Sequence, residues 1–103
     1  MMSDRVFVDT SAWIAVINRS EGVHAQAVTV YQQLLAQNVL LVTTLSVLEE
    51  THILLRRRMG FHVAQKFLQS VNNSARIDVV FPTVEMELAA KDLLLKYADH
   101  DVS

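Results

Sequence analysis

An α/β fold, a parallel sheet with helices packed against it, is what three features of the sequence predict. Three short β-prone apolar runs, Val6-Phe-Val8, Val39-Leu-Leu-Val-Thr43 and Ile77 to Phe81, are separated by long stretches with helical periodicity. The runs are near-continuous hydrophobics rather than alternating ones, the pattern of strands buried on both faces of a parallel sheet. The intervals between them are long enough for crossover helices, which parallel strands require and tight hairpins do not supply.

Each element has a local justification. Val6 to Val8 is read as a short, fully buried strand that ends on an acid, Asp9. Ser11 to Asn18 follows as a short helix, and Asn18-Arg-Ser-Glu-Gly22 is a polar turn. A second helix is predicted over Val23 to Gln37, where Ala27, Val30, Tyr31, Leu34 and Leu35 recur at helical spacing, with Asn38 as its stop. After the second strand, Thr44 to Met59 reads as a long helix ended by Gly60. Phe61 to Asn73 is a further helix with Val63, Ala64, Phe67, Leu68 and Val71 on its apolar face. Pro82 closes the third strand, and a last helix is predicted over Thr83 to Ala98. The order is β-α-α-β-α-α-β-α.

Totals narrow the function classes. A length of 103 residues gives one domain, and 51% hydrophobic content with two Gly and one Pro argues against long disordered stretches. A net charge of −2 and a pI near 6.0 provide no global attraction to nucleic acid or membrane, although local basic patches remain compatible with both values. Without cysteine there is no disulfide, thiolate or Cys-zinc chemistry. No signal-peptide core and no 18-residue apolar span occur, so a cytoplasmic protein with no membrane partner is expected.

Asp9 lies at the carboxyl end of a strand with a helix start behind it, the place where open α/β sheets hold their ligands. Its bland role is a helix N-cap, a role that the Thr10 and Ser11 hydroxyls can fill as well, leaving the carboxylate free. On the long third helix, Val47, Leu48, Thr51, Leu54 and Leu55 form one stripe. Glu49 falls opposite that stripe and matches a capping box with Ser46, whereas Glu50 falls on the border of the stripe. Spacing alone makes Glu50 an ordinary boundary glutamate or an acid reaching a cleft beside the sheet. Two Glu-x-x-His pairs, Glu21/His24 and Glu49/His52, lack the four-helix frame that a di-iron site needs.

Three segments together, Phe7-Val-Asp-Thr-Ser-Ala-Trp-Ile-Ala15, Leu41-Val-Thr-Thr-x-x-Val-Leu-x-Glu-Thr-x-x-Leu-Leu55 and Tyr97-Ala-Asp-His-Asp-Val-Ser103, resemble the PIN domain family, closest to its VapC-type toxins. The resemblance implies a three-layer α/β/α fold with a central parallel sheet. It implies a metal-dependent endoribonuclease in which several acids hold Mg²⁺ or Mn²⁺ for hydrolysis of an RNA phosphodiester, with an antitoxin protein as partner. Asp9 matches the first family acid, Glu50 the second, and Ser11 the hydroxyl supporting the first. Family members continue beyond the segment matching Asp99 to Ser103 into a helix with a third acid and a strand with a fourth. The chain is therefore expected to be incomplete at its C-terminal end and weak or inactive alone, with Asp101 as the residue that would stand in for a missing ligand. An uncovered sheet edge implies a homodimer. Arg56-Arg-Arg58, with Lys66 and Arg76, is the basic concentration of the chain; it suits a helix C-terminus and equally a track for RNA phosphates. Trp13 and Phe61 are aromatic candidates for stacking on bases, or core residues. The competing class is a non-catalytic PIN-fold module that binds itself or an antitoxin.

Overall fold

The structure is a computed structural model that describes residues 4–97. It contains β1 (Arg5–Phe7), α1 (Thr10–Ile17), α2 (His24–Ala36), β2 (Leu40–Thr44), α3 (Leu45–Met59), α4 (Phe61–Asn73), β3 (Ile77–Val80) and α5 (Val84–Tyr97). The three strands form one parallel sheet in the order β1-β2-β3, flanked by the five helices, as the α/β reading predicts. Register places Val6 beside Leu41 and Leu41 beside Ile77, and Phe7 beside Val42 and Val42 beside Asp78.

One face of this sheet makes the core. Val6, Leu41, Ile77 and Val79 point toward α1 to α4 and join Trp13, Ile14, Leu48, Leu55, Ala64, Phe67 and Val71. Because side chains alternate along a strand, Phe7, Val42 and Val80 point the other way. Here the expectation of a fully buried first strand fails. Phe7 is 56% exposed, at the edge strand of the sheet. The central strand is the one that is buried, at Leu41 and Thr43. Along α5, Val84, Met86, Leu88, Leu93, Leu94 and Leu95 are all exposed, an apolar composition on every side of a helix that ordinarily implies burial.

Trp13 is a core residue, 3% exposed, and this removes it as a base-stacking side chain. Its ring meets Tyr31 and Phe67 edge-on, at centroid distances of 6.2 and 5.4 Å. Its Nε1 donates to Thr43 Oγ1 at 3.4 Å, and that hydroxyl donates in turn to the Val8 carbonyl at 3.0 Å. A buried polar pair is thereby satisfied inside an apolar core.

Helix ends follow local chemistry. Asn38 sits in the left-handed region at φ 59°, one residue beyond the C-cap of α2. The Val39 amide donates to Leu34 O at 3.1 Å and the Asn38 amide to Leu35 O at 3.3 Å, the paired bonds of a Schellman motif. Val39 thus closes α2 instead of opening β2. Gly60 alone joins α3 to α4, at φ 97° and ψ 163°, a conformation open in practice only to glycine.

Candidate functional site

At the carboxyl ends of β1 and β2 the chain passes into α1 and α3 almost without linker. Asp9 is itself the N-cap of α1. Its Oδ1 accepts from the Ala12 amide at 3.0 Å and from the Ser11 hydroxyl at 3.0 Å. Of the two alternatives the sequence leaves open, Asp9 takes the cap itself: the Thr10 hydroxyl donates to the Val47 carbonyl at 3.4 Å, and Ser11 serves the carboxylate. Both of these bonds fall on one oxygen, Oδ1. The Ala12 amide, with the Ser11 hydroxyl behind it, holds the Asp9 carboxyl below the usual carboxylate range. The side chain is exposed and ionised at neutral pH.

On α3, the Ser46–Glu49 capping box does not form. Thr44, the last residue of β2, caps the helix by accepting from the Val47 amide at 3.2 Å. The first turn of α3 is tied to that of α1, because the Thr10 hydroxyl donates to the Val47 carbonyl, which also accepts from Thr51 within α3. Glu49 and Glu50 then diverge. Glu49 lies with Leu48, His52, Ile53 and Arg56 along one side of the helix. Glu50 faces α1 across a cleft of about 410 Å³ whose lining includes Thr10, Ser11, Glu21, Leu54 and Arg58. A larger cavity, about 440 Å³, lies against Trp13, Tyr31 and Phe67, but it is mainly apolar and has no carboxylate in its lining.

One residue of this cleft, Glu21, and its link to Arg58 were not legible in the sequence. Glu21, from the turn before α2, accepts from Arg58 Nη1 at 3.4 Å. The pair is half-exposed at both ends and contributes at most about 1 kcal/mol. The link spans 37 residues, which no local spacing announces. The arginine run is therefore divided: Arg58 enters the cleft, Arg56 lines the opposite side of α3 beside Glu49, and Arg57 is exposed outside both. His24 does not act with Glu21. Its Nδ1 bonds to the Ala15 carbonyl at 2.8 Å and anchors α2 to α1. Arg76 donates to Val39 O at 2.9 Å, a tether between β3 and the start of β2. Asp99 and Asp101 lie outside the described residues.

Residues 6–102 match the description of the PIN domain. The chain belongs to the PIN domain family. Among solved structures, this PIN domain is similar to Mycobacterium tuberculosis VapC20, a toxin that cleaves the Sarcin-Ricin loop. The two are 30% identical with a TM-score of 0.71, and the likeness covers 94% of this chain and 72% of that one. Among curated proteins no sequence matches.

Three side chains in and beside the PIN domain's cleft have the donor chemistry of a divalent-cation site. Asp9, Glu50 and Ser11 offer oxygen atoms only, the hard donors that Mg²⁺ and Mn²⁺ accept, and Mg²⁺ commonly takes one or two protein carboxylates with water and phosphate completing its shell. The donor type fits. Among the described residues no group of three His, Cys, Asp or Glu side chains converges. No described helix is long and apolar enough to cross a membrane.

Proposed function

We propose that this chain is a VapC-type endoribonuclease, hydrolysing RNA phosphodiesters at the α1–α3 cleft with Mg²⁺ or Mn²⁺ held by Asp9 and Glu50. The observation that carries the reading is that Glu50 and Ser11 line one cleft, with the Ser11 hydroxyl bonded to the Asp9 carboxylate. Membership of the PIN family and the likeness to an RNA-cleaving toxin support it.

In this reading the capping bonds keep the Asp9 side chain ionised and fixed in direction, so that the carboxylate is presented to the ligand at little further ordering cost. Ser11 locks the rotamer of that carboxylate. Glu50 supplies the second carboxylate from the border of α3, and the Thr10 bond to Val47 holds the two helix starts together. The cation, when bound, polarises the phosphate and lowers the pKa of the attacking water. Two carboxylates from the described residues make a weak Mg²⁺ site, and cleavage is accordingly slow and dependent on high metal concentration. The protein acts in the cytoplasm, where an antitoxin protein restrains it. It works as a homodimer through the apolar surface of α5; a single monomeric mass across micromolar concentrations in sedimentation would exclude this.

The decisive experiment is Mn²⁺-dependent cleavage of RNA by the wild-type chain and by Glu50→Gln, which removes a charge from an exposed position without touching the core. Cleavage should vanish in the variant at unchanged thermal stability. Undiminished cleavage would sink the assignment of Glu50. A non-catalytic module that binds itself or an antitoxin is the second reading, favoured by the absence of a third converging carboxylate among the described residues. Cleavage absent from the wild-type chain at saturating Mn²⁺ would decide for it.

A further inference from the structure

Resting on the proposed RNA substrate, we infer that Arg58 is the residue that takes an RNA backbone phosphate in the α1–α3 cleft, exchanging its Glu21 partner for the phosphate. The geometry separates Arg58 from its neighbours in the run. Residues one apart on a helix are turned by roughly 100°, so three successive arginines cannot share a face. Arg58 follows Glu50 and Leu54 down one side of α3, and all three line the cleft together with Thr10 and Ser11. Arg56 belongs to the other side, and Arg57 to neither.

Charge makes the position consequential. The cleft lining carries the Glu50 and Glu21 carboxylates, and Asp9 stands at its rim through Ser11. A polyanion entering there meets carboxylates, and Arg58 is the sole cation in the lining among the described residues. Its guanidinium is not committed elsewhere. A single contact at 3.4 Å, beyond the usual length of a charge-assisted bond, joins Nη1 to Glu21 Oε1 and leaves the other N–H donors without described partners. Arginine's planar fork matches two phosphate oxygens at once, a geometry a lysine does not provide. A cation that merely complements the dipole of α3 would need neither a partner carboxylate nor a place in the cleft. Glu21 holds the fork in the cleft when RNA is absent, and its weak, half-exposed contact yields readily to a phosphate.

The test is binding of a fluorescent single-stranded RNA oligonucleotide by anisotropy in EDTA, which reads affinity without cleavage, over a series of salt concentrations. Arg58→Ala should weaken binding at least about tenfold. It should also lower the slope of log affinity against log salt by about 0.7, the release from one single-strand phosphate. Arg57→Ala removes the same charge one residue away and should change affinity by less than about twofold, with the slope intact. Arg58→Lys should keep the slope and recover only part of the affinity. Glu21→Gln should tighten binding, because it removes a competing carboxylate. Thermal unfolding of each variant confirms the fold, and these sites lie off the core. Binding by Arg58→Ala equal to wild type, or an equal loss in Arg57→Ala, overturns the inference and leaves the nuclease reading standing. Weaker binding by Glu21→Gln overturns the exchange. A wild-type chain that binds no RNA in EDTA overturns the inference about Arg58, while the nuclease reading is decided separately by Mn²⁺-dependent cleavage.

Discussion

Replacing Asp9 in two ways separates its structural work from the chemical role proposed for it. The carboxylate accepts the Ala12 amide at the start of α1, so Asp9→Ala leaves that donor and the Ser11 hydroxyl without their acceptor. Loss of an N-cap of this kind costs about 1 kcal/mol, within a range of about 0.5–2. For a domain of this size that corresponds to a fall in Tm of about 4–8 °C. Asn caps nearly as well as Asp, and Asp9→Asn loses only the favourable charge at the helix N-terminus, about 0.3–1 kcal/mol before solvent screening of so exposed a group. The expected pattern is a clear loss of Tm in Asp9→Ala, a small one in Asp9→Asn, and no Mn²⁺-dependent RNA cleavage in either. Calorimetry and a gel cleavage assay read the two effects independently. Equal Tm values for wild type and Asp9→Ala would refute the capping argument, and cleavage by Asp9→Asn at the wild-type rate would refute the ligand argument. The pH dependence follows from the same bonds. The folded-state pKa of Asp9 is depressed, so its contribution is present above the unfolded value and disappears as pH falls through the lower folded value, below about pH 4. Asp9→Ala and wild type should therefore converge in stability in acid, and a difference that persists to the lowest pH would contradict the assignment.

Two further substitutions test the frame that carries the site. Gly60→Ala meets no atom within 4 Å yet forces alanine into φ 97°, ψ 163°, so it should destabilise by about 1–3 kcal/mol through the backbone alone, and unchanged urea unfolding would show that the junction can relax. Thr43→Val keeps shape but strands the Trp13 Nε1 and removes a donor from the Val8 carbonyl, with an expected loss of about 1–3 kcal/mol; a neutral outcome would mean that these groups find other partners.

What the sequence makes legible is whatever is fixed by near neighbours along the chain. Phe61 to Asn73 is a helix over the residues its periodicity marks, because Gly60 bounds it on one side and Ser74 returns to extended backbone on the other. The helix stop at Asn38 is equally local. Where one residue serves two elements, local rules mislead: Thr44 ends β2 and caps α3, so the Ser46–Glu49 box has no helix end to act on. Burial of Val6 to Val8 depended on which strand would be central, and strand order is set by crossover paths and not by the composition of a three-residue run. The border position of Glu50 was readable from helical spacing, whereas the Glu21–Arg58 pair joins a turn to a distant helix end and leaves no periodic trace.

The parallel register of β1 and β2 has a consequence for how the two acids are spaced. Phe7 pairs with Val42, Asp9 follows two residues beyond the first, and Glu50 lies on the helix that begins directly after Thr44. The sheet thus acts as a ruler. Strands about 4.8 Å apart, each rising about 3.3 Å per residue, set the lateral offset and the axial phase of the two helix starts before any side chain is chosen. A slip of one residue in that pairing would displace one acid along the ruler and turn the core residues of its strand outward. The apolar stripe of Val6, Leu41 and Ile77 therefore guards the placement of two carboxylates that it never touches, and selection on the hydrophobic face is at the same time selection on the site.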